Sequence, residues 1–108
     1  MSGGGSFSSD QTTLLLDTVG ADTLARAGRA RITSIQAKGI ASAQLKLHNV
    51  STAGAAAAGN LVATYNFGTE GLEVYVPGSG ILFKDGICAT LTQTGGTDGS
   101  VTLTITGA

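Results

Sequence analysis

Residues 81–108 read ILFKDGICATLTQTGGTDGSVTLTITGA and carry the pattern that decides the fold. Apolar residues alternate with threonine or cysteine at residues 87–92, and apolar residues alternate with threonine again at residues 101–106. Successive side chains of a β-strand point to opposite faces, so each run predicts a strand with one buried face and one uncharged face. Asp85-Gly86 and Gly95-Gly96 are typical turn dipeptides, which predict hairpins beside these strands.

Similar runs precede this segment, with turn signals between them. They lie at residues 12–18, 31–40, 44–50, 61–67, 72–76 and 81–83, and in the fourth strand Leu61 is predicted to share a buried face with Phe67. Regularly spaced short strands predict an all-β fold, an antiparallel β-sandwich of jelly-roll-like form with about seven or eight strands. Residues 22–29 are predicted as an irregular connection and residues 52–59 as a long loop tip.

The first ten residues differ in composition from the rest. Apart from Met1, Phe7, Asp10 and three glycines they are serines, and such a segment cannot bury enough apolar surface to order itself. We therefore expect a flexible N-terminal arm at 1–10, with Phe7 as its apolar anchor, and a single β-sandwich domain at 11–108.

The weak charge of the chain argues against several classes of partner. Charged residues make up 12% of the sequence and the formal net charge is -1. Arg26, Arg29 and Arg31 are the only arginines and have no flanking aromatic residues, so we expect no nucleic-acid binding. Low charge instead makes the chain weakly repelled by its own copies, which favours self-association.

Cysteine content and hydropathy bear on the compartment. Cys88 is the only cysteine, which excludes an internal disulfide and suits assembly in a reducing cytoplasm. The sequence shows neither a signal peptide nor an apolar segment of membrane-spanning length, so we expect neither export nor a membrane partner.

Candidate reactive groups are few, and each has a simpler structural interpretation. His48 lies on the polar face of a predicted strand without a second ligand at metal-binding spacing, so an exposed histidine is expected. Cys88 lacks a nearby base and is expected to be a packed or interfacial thiol. Glu70 and Glu73 are predicted to point to opposite faces of a strand, which excludes an acid/base pair.

Two further candidate sites, a calcium site at Asp98 and a phosphate loop at Gly78-Ser79-Gly80, are also better explained as turns. Asp98 supplies one carboxylate within a glycine-rich turn, far short of a calcium site. Gly78-Ser79-Gly80 precedes no helix and is expected to be a hairpin turn rather than a phosphate loop. We therefore predict no enzyme activity, no catalytic residues, no cofactor and no metal.

A binding module is the alternative, because β-sandwiches commonly bind sugars through exposed aromatic residues. The chain has no tryptophan, two tyrosines and three phenylalanines. Tyr75 lies on the polar face of its predicted strand, where it is free to stack on a sugar or on another protein subunit.

Two segments resemble the small all-β structural proteins of tailed bacteriophages. In residues 77–106, Phe83, Gly86 and Ile87 match an F-x-x-G-I/L turn that precedes a threonine-rich closing hairpin. In the middle of the chain, AQLKLHNVSTAG followed by LVATYNF is similar to two consecutive strands of such proteins. The resemblance covers residues 32–106.

The resemblance implies a component of the virion, assembled in the host cytoplasm. Many such proteins are capsid decoration or cement proteins that form trimers or other symmetric homo-oligomers on the major capsid protein. We expect a non-enzymatic protein that decorates and stabilises the capsid lattice, with Phe7, Arg26, Arg29 and Tyr75 as partner contacts. A head-tail connector, tail or fibre component is the alternative within the virion.

Overall fold

The computed structural model describes residues 11–96 and 98–107, which form nine strands and two short 3-10 turns. The strands are β1 Gln11–Leu16, β2 Asp22–Ala27, β3 Ala30–Ala37, β4 Ala43–Asn49, β5 Leu61–Phe67, β6 Leu72–Tyr75, β7 Ile81–Phe83, β8 Gly86–Gln93 and β9 Val101–Gly107. The 3-10 turns, Ala53–Ala55 and Ala58–Asn60, lie between β4 and β5. The predicted arm at 1–10, with Phe7, lies outside the described residues.

The strands form two antiparallel sheets. Sheet A has the order β1-β9-β3, and both β6 and β7 pair with the other side of β3. Sheet B has the order β2-β8-β4-β5. The prediction of an all-β antiparallel sandwich is confirmed.

One hydrophobic core lies between the sheets and draws on both. Ile35 and Leu103 contribute from sheet A and Leu45 and Leu91 from sheet B, and all four are fully buried. In β4 and β9 the buried apolar residues occupy alternate positions, as the period of two predicts, whereas β3 has a register shift between Ile32 and Ser34. Burying one such side chain contributes about 1.5–3 kcal/mol, so the alternating strands supply the main stabilisation of the fold.

Strand β2 corrects the prediction of an irregular connection at 22–29. Its sequence DTLARA has good helix formers, but the segment pairs with β8 along a sheet edge. The register shifts between Leu24 and Arg26, which marks a β-bulge. A half-exposed, bulged edge strand has no clean alternation, which is why the pattern did not reveal it.

The predicted hairpins are wrong, because most of these connections cross between the sheets. Asp85-Gly86 joins β7 in sheet A to β8 in sheet B, and Gly95-Gly96 lies on the crossing from β8 back to β9. Gly78-Ser79-Gly80 separates β6 from β7, which both run antiparallel to β3, so it interrupts one sheet edge. Among the described strands, β4 and β5 are the one hairpin of consecutive neighbours.

A second bulge changes the side to which Leu61 belongs. The β4–β5 register places Ala63 opposite Leu47 and Leu61 opposite His48, so Val62 is the extra residue. Leu61 therefore lies on the other face from Phe67, contrary to the prediction, and is 41% exposed.

Candidate functional site

The predicted contact residues do not form one site. Arg26 lies in β2 of sheet B and is half-buried, whereas Arg29 is exposed in the connection from β2 to β3. Tyr75 ends β6 in sheet A, opposite Ser34, and is 78% exposed. The structure therefore leaves Tyr75 and Arg26 on different sheets, and Phe7 lies outside the described residues.

The outer face of sheet A carries few charged side chains. The strand register aligns two rows of side chains on this face, each running across β1, β9, β3 and β6 in that order. The first row is Thr13, Thr104, Ser34 and Tyr75, and the second is Leu15, Thr102, Gln36 and Glu73. Its strands turn their buried side chains toward the core, as alternation requires. We call the uncharged part of these two rows the threonine face; its residues are Thr13, Leu15, Ser34, Gln36, Tyr75, Thr102 and Thr104.

Two exposed apolar side chains stand on either side of the threonine face. Leu15 on β1 is 59% exposed and Tyr75 on β6 is 78% exposed. Three strand spacings separate β1 from β6, or about 14 Å. Between them, the Ser34 hydroxyl donates to Thr104 Oγ1 at 2.8 Å, which fixes the hydroxyl groups on the central strands. Such a surface suits contact with another weakly charged protein surface.

The outer face of sheet B is covered at one end, around His48 and Cys88. Residues 51–60, which we call the cover, include both 3-10 turns and lie against this face. Cys88 is fully buried there, with Sγ 3.9 Å from the carbonyl oxygen of Ala53, and His48 is 7% exposed. The expectation of an exposed histidine is therefore wrong, while the expectation of a packed thiol is confirmed.

Register brings His48 and Cys88 directly opposite each other on β4 and β8. Burial, followed by the nearby Asp22 carboxylate, raises the pKa of the Cys88 thiol, so the thiol is protonated at neutral pH. Asp22 itself accepts a hydrogen bond from the Thr90 hydroxyl. His48 Nδ1 is buried and has no hydrogen-bond partner among the described residues. A protonated, enclosed thiol is a poor nucleophile, which argues against cysteine catalysis here.

Sequence reasoning assigned His48 and Cys88 to the polar faces of their strands but could not see that they are neighbours. The strands β4 and β8 pair only because the chain crosses between sheets several times. Strand order was the missing information, since alternation alone places both side chains on an outer face.

Two open clefts are lined in part by charged side chains. A cleft of about 340 Å³ beside the cover is lined by Asp22, Lys46 and His48. A second, of about 500 Å³, is lined by Glu70 and Glu73, among others. The strand argument for these two glutamates does not apply, because Glu70 lies outside β6.

Glu70 and Glu73 share a cleft because strand alternation does not extend to Glu70. It precedes β6, and the intervening Gly71 has a φ of +81°. The Glu70 carboxylate accepts a hydrogen bond from the Gly68 N–H at 3.2 Å, which stabilises the turn that contains both residues. Both glutamates are exposed.

Within the described part of the chain, no three His, Cys, Asp or Glu side chains come close enough to hold a metal ion. The carboxylate of Asp98 accepts a hydrogen bond from Gln93 Nε2 at 2.8 Å. The same residues include no helix long and apolar enough to cross a membrane.

Comparison with known proteins adds no relative: the chain matches no protein-family model, and no curated protein and no solved structure is significantly similar to it.

Proposed function

We propose that this chain is a non-enzymatic structural protein of a bacteriophage virion that decorates and stabilises the capsid lattice. Its partners are further copies of itself and the major capsid protein. The proposal unites the sequence resemblance at residues 32–106 with a surface suited to protein contact. On this proposal, the protein belongs to the virion and is assembled in the host cytoplasm.

The threonine face is the observation that carries the proposal. Glu73 at its edge is the one charged side chain in its two rows, and Leu15 and Tyr75 give it an apolar anchor on each side. Aromatic anchors rimmed by polar groups supply much of the binding energy of protein interfaces. A face of this kind can contact a capsid surface with little cost from burying charge.

Strand order supports the same proposal. Most consecutive strands lie in different sheets, which gives β1-β9-β3-β6 opposite β2-β8-β4-β5. We interpret this interleaved order as a jelly roll, an architecture that viral capsid proteins and lectins both use. The architecture is compatible with several functions, so the contact surface decides between them.

Co-sedimentation with undecorated capsids tests the proposal. We expect the wild-type protein to pellet with capsids and the double variant Leu15→Ser/Tyr75→Ser to lose at least about tenfold in affinity, since both anchors are removed. Leu24→Ser is the matched control, because Leu24 is a 37% exposed leucine on sheet B. Failure of the wild-type protein to bind capsids at high concentration would reject the proposal.

Sugar binding is a second candidate, supported by the 78% exposure of Tyr75. An aromatic ring on a flat sheet face can stack on a pyranose. This candidate predicts a glycan-array signal that Tyr75→Ala abolishes while Leu15→Ser retains it. A wild-type protein without any array signal would retire it.

A further inference from the structure

The two sheets end in four edges that differ in how well they are blocked against another strand. Edge strands expose unpaired N–H and C=O groups, and proteins block them with charges, bulges or proline. Strand β2 carries Asp22 and Arg26 around a bulge. In sheet A, β6 and β7 form one edge. This edge carries Glu73 in β6 and is interrupted between the two strands, where Pro77 lies.

Strand β5 has almost none of these protections. Its sequence LVATYNF contains no charged residue and no proline. Its bulge is confined to Val62, which leaves residues 63–67 as a regular run. No described residue pairs with its far side, and Leu61 and Val62 are each 41% exposed. The free edge of β5 is therefore open to another strand.

A second copy of the chain fits this edge better than a charged partner does. When a strand pairs antiparallel with its own copy, residues at equal distances from the two-fold axis face each other, and a net charge on the strand repels the copy. Strand β5 has no charge to repel its copy. A two-fold axis at Tyr65, the midpoint of residues 63–67, pairs Thr64 with Asn66 and Ala63 with Phe67.

Strand β1 is the other uncharged edge, but the chain continues from it. Its last residue, Leu16, is followed directly by the exposed Asp17, so a copy that paired along this edge would meet a carboxylate there. Strand β5 is bounded by turns at both ends, at Asn60 and at Gly68. The comparison favours β5 as the site of self-pairing.

We propose that two copies pair antiparallel through β5, joining their B sheets into one eight-stranded sheet around a two-fold axis at Tyr65. This dimer would be one contact within the homo-oligomer proposed above, and its place in the virion rests on that proposed function. The dimer itself forms without a capsid.

A pair of charge variants tests the contact, with mass measured by sedimentation equilibrium of the full chain. Thr64 and Asn66 are exposed, and Asn66 accepts a hydrogen bond from Gln44 on β4 at 2.9 Å. In Thr64→Lys/Asn66→Lys each new lysine faces a lysine of the partner, so we expect at least a tenfold weaker dimer. In Thr64→Lys/Asn66→Glu opposite charges face each other, and we expect dimerisation restored.

The two variants differ only in the sign of one charge, and circular dichroism verifies that both are folded. Thr13→Lys is the matched control, because Thr13 is an exposed threonine in the other uncharged edge. It should leave the dimer intact while weakening capsid binding. A monomeric wild-type protein at high concentration overturns the proposal, as does a lysine/lysine variant that dimerises or a lysine/glutamate variant that does not.

These outcomes separate the dimer from the proposed function. Loss of capsid binding with the dimer intact rejects decoration alone, and a monomer that still pellets with capsids rejects the β5 contact alone.

Discussion

The outer faces of the two sheets show how the same strand pattern leads to opposite surfaces. Both sheets alternate core residues with polar ones, yet the threonine face of sheet A is open whereas the part of the outer face of sheet B around His48 and Cys88 lies under the cover. The difference comes from the β4–β5 hairpin, whose connection is long enough to fold back over its own sheet. A loop can thus turn a solvent-facing row, including His48 and Cys88, into a small second core.

The largest effect should come from Gly86, which packs against the backbone where the cover begins. A Cβ atom at this position would lie 2.6 Å from the Val50 carbonyl oxygen and 2.8 Å from the Arg26 carbonyl oxygen. Because both neighbours are backbone atoms, Gly86→Ala should lower the free energy of unfolding by about 2–4 kcal/mol. Urea unfolding measures this change.

Gly54→Ala within the cover is the matched control for Gly86. A Cβ atom at Gly54 would have no neighbouring atom within 4 Å, so the stability of this variant should stay within about 0.5 kcal/mol of the wild type. Equal losses in the two variants would contradict the crowding at Gly86.

Thiol chemistry should distinguish the covered face from the open one. Cys88 is fully buried, whereas Thr13 on the threonine face is exposed. Ellman's reagent should therefore label native Cys88 roughly a hundredfold more slowly than the thiol of Thr13→Cys in a Cys88→Ser background. Labelling at equal rates would show that the cover does not protect Cys88.

The pH dependence of labelling sharpens this comparison. Burial, with a further contribution from Asp22, raises the pKa of Cys88, and only the thiolate reacts. The labelling rate of Cys88 should therefore keep rising at alkaline pH values where the rate of the exposed thiol has already levelled off. A plateau at the same pH for both thiols would contradict the raised pKa.

A smaller effect is expected at His48, beneath the cover. Its Nδ1 atom is buried and has no partner among the described residues, an arrangement that costs free energy. His48→Leu removes this polar atom and keeps an apolar contact, so stability should stay unchanged or rise by about 1 kcal/mol. A loss of more than about 1 kcal/mol in thermal unfolding would show that the imidazole makes a favourable polar interaction.

The same comparison shows what the sequence could predict. Alternation identified the sandwich and the core strands, because a period of two needs no knowledge of strand neighbours. It missed β2, whose bulged edge has no regular pattern, and it misplaced Leu61, because one extra residue reverses the faces. The burial of His48 depends on a loop contact, which no local pattern encodes.

The contact surfaces were predictable to a similar degree. Tyr75 was correctly expected to be exposed, because it lies on the polar side of its strand. Arg26 and Tyr75, both predicted as partner contacts, lie on different sheets, because consecutive segments of this chain often belong to different sheets. Strand order therefore limits site prediction more than side-chain chemistry does.

The smallest effect concerns the crossing that leads from β8 in sheet B to β9 in sheet A. Gln93 donates to the Asp98 carboxylate at 2.8 Å and accepts from the Gly99 N–H at 2.9 Å. This hydrogen bonding, led by Gln93, lowers the pKa of Asp98 below the ordinary aspartate value. The folded state therefore holds the ionised form more strongly than the unfolded chain does.

The sign of the pH effect at Asp98 follows from that lowered pKa. Its stabilising contribution is present above the unfolded pKa and is lost as the pH falls through the folded pKa. Asp98→Asn should flatten the acid limb of a plot of stability against pH by a small amount, because this side chain is exposed. Unfolding measured at several acidic pH values, with Asp17→Asn as an exposed control, tests it. If Asp98→Asn and Asp17→Asn change the acid limb equally, the Gln93–Asp98 hydrogen bond does not hold the crossing between the two sheets.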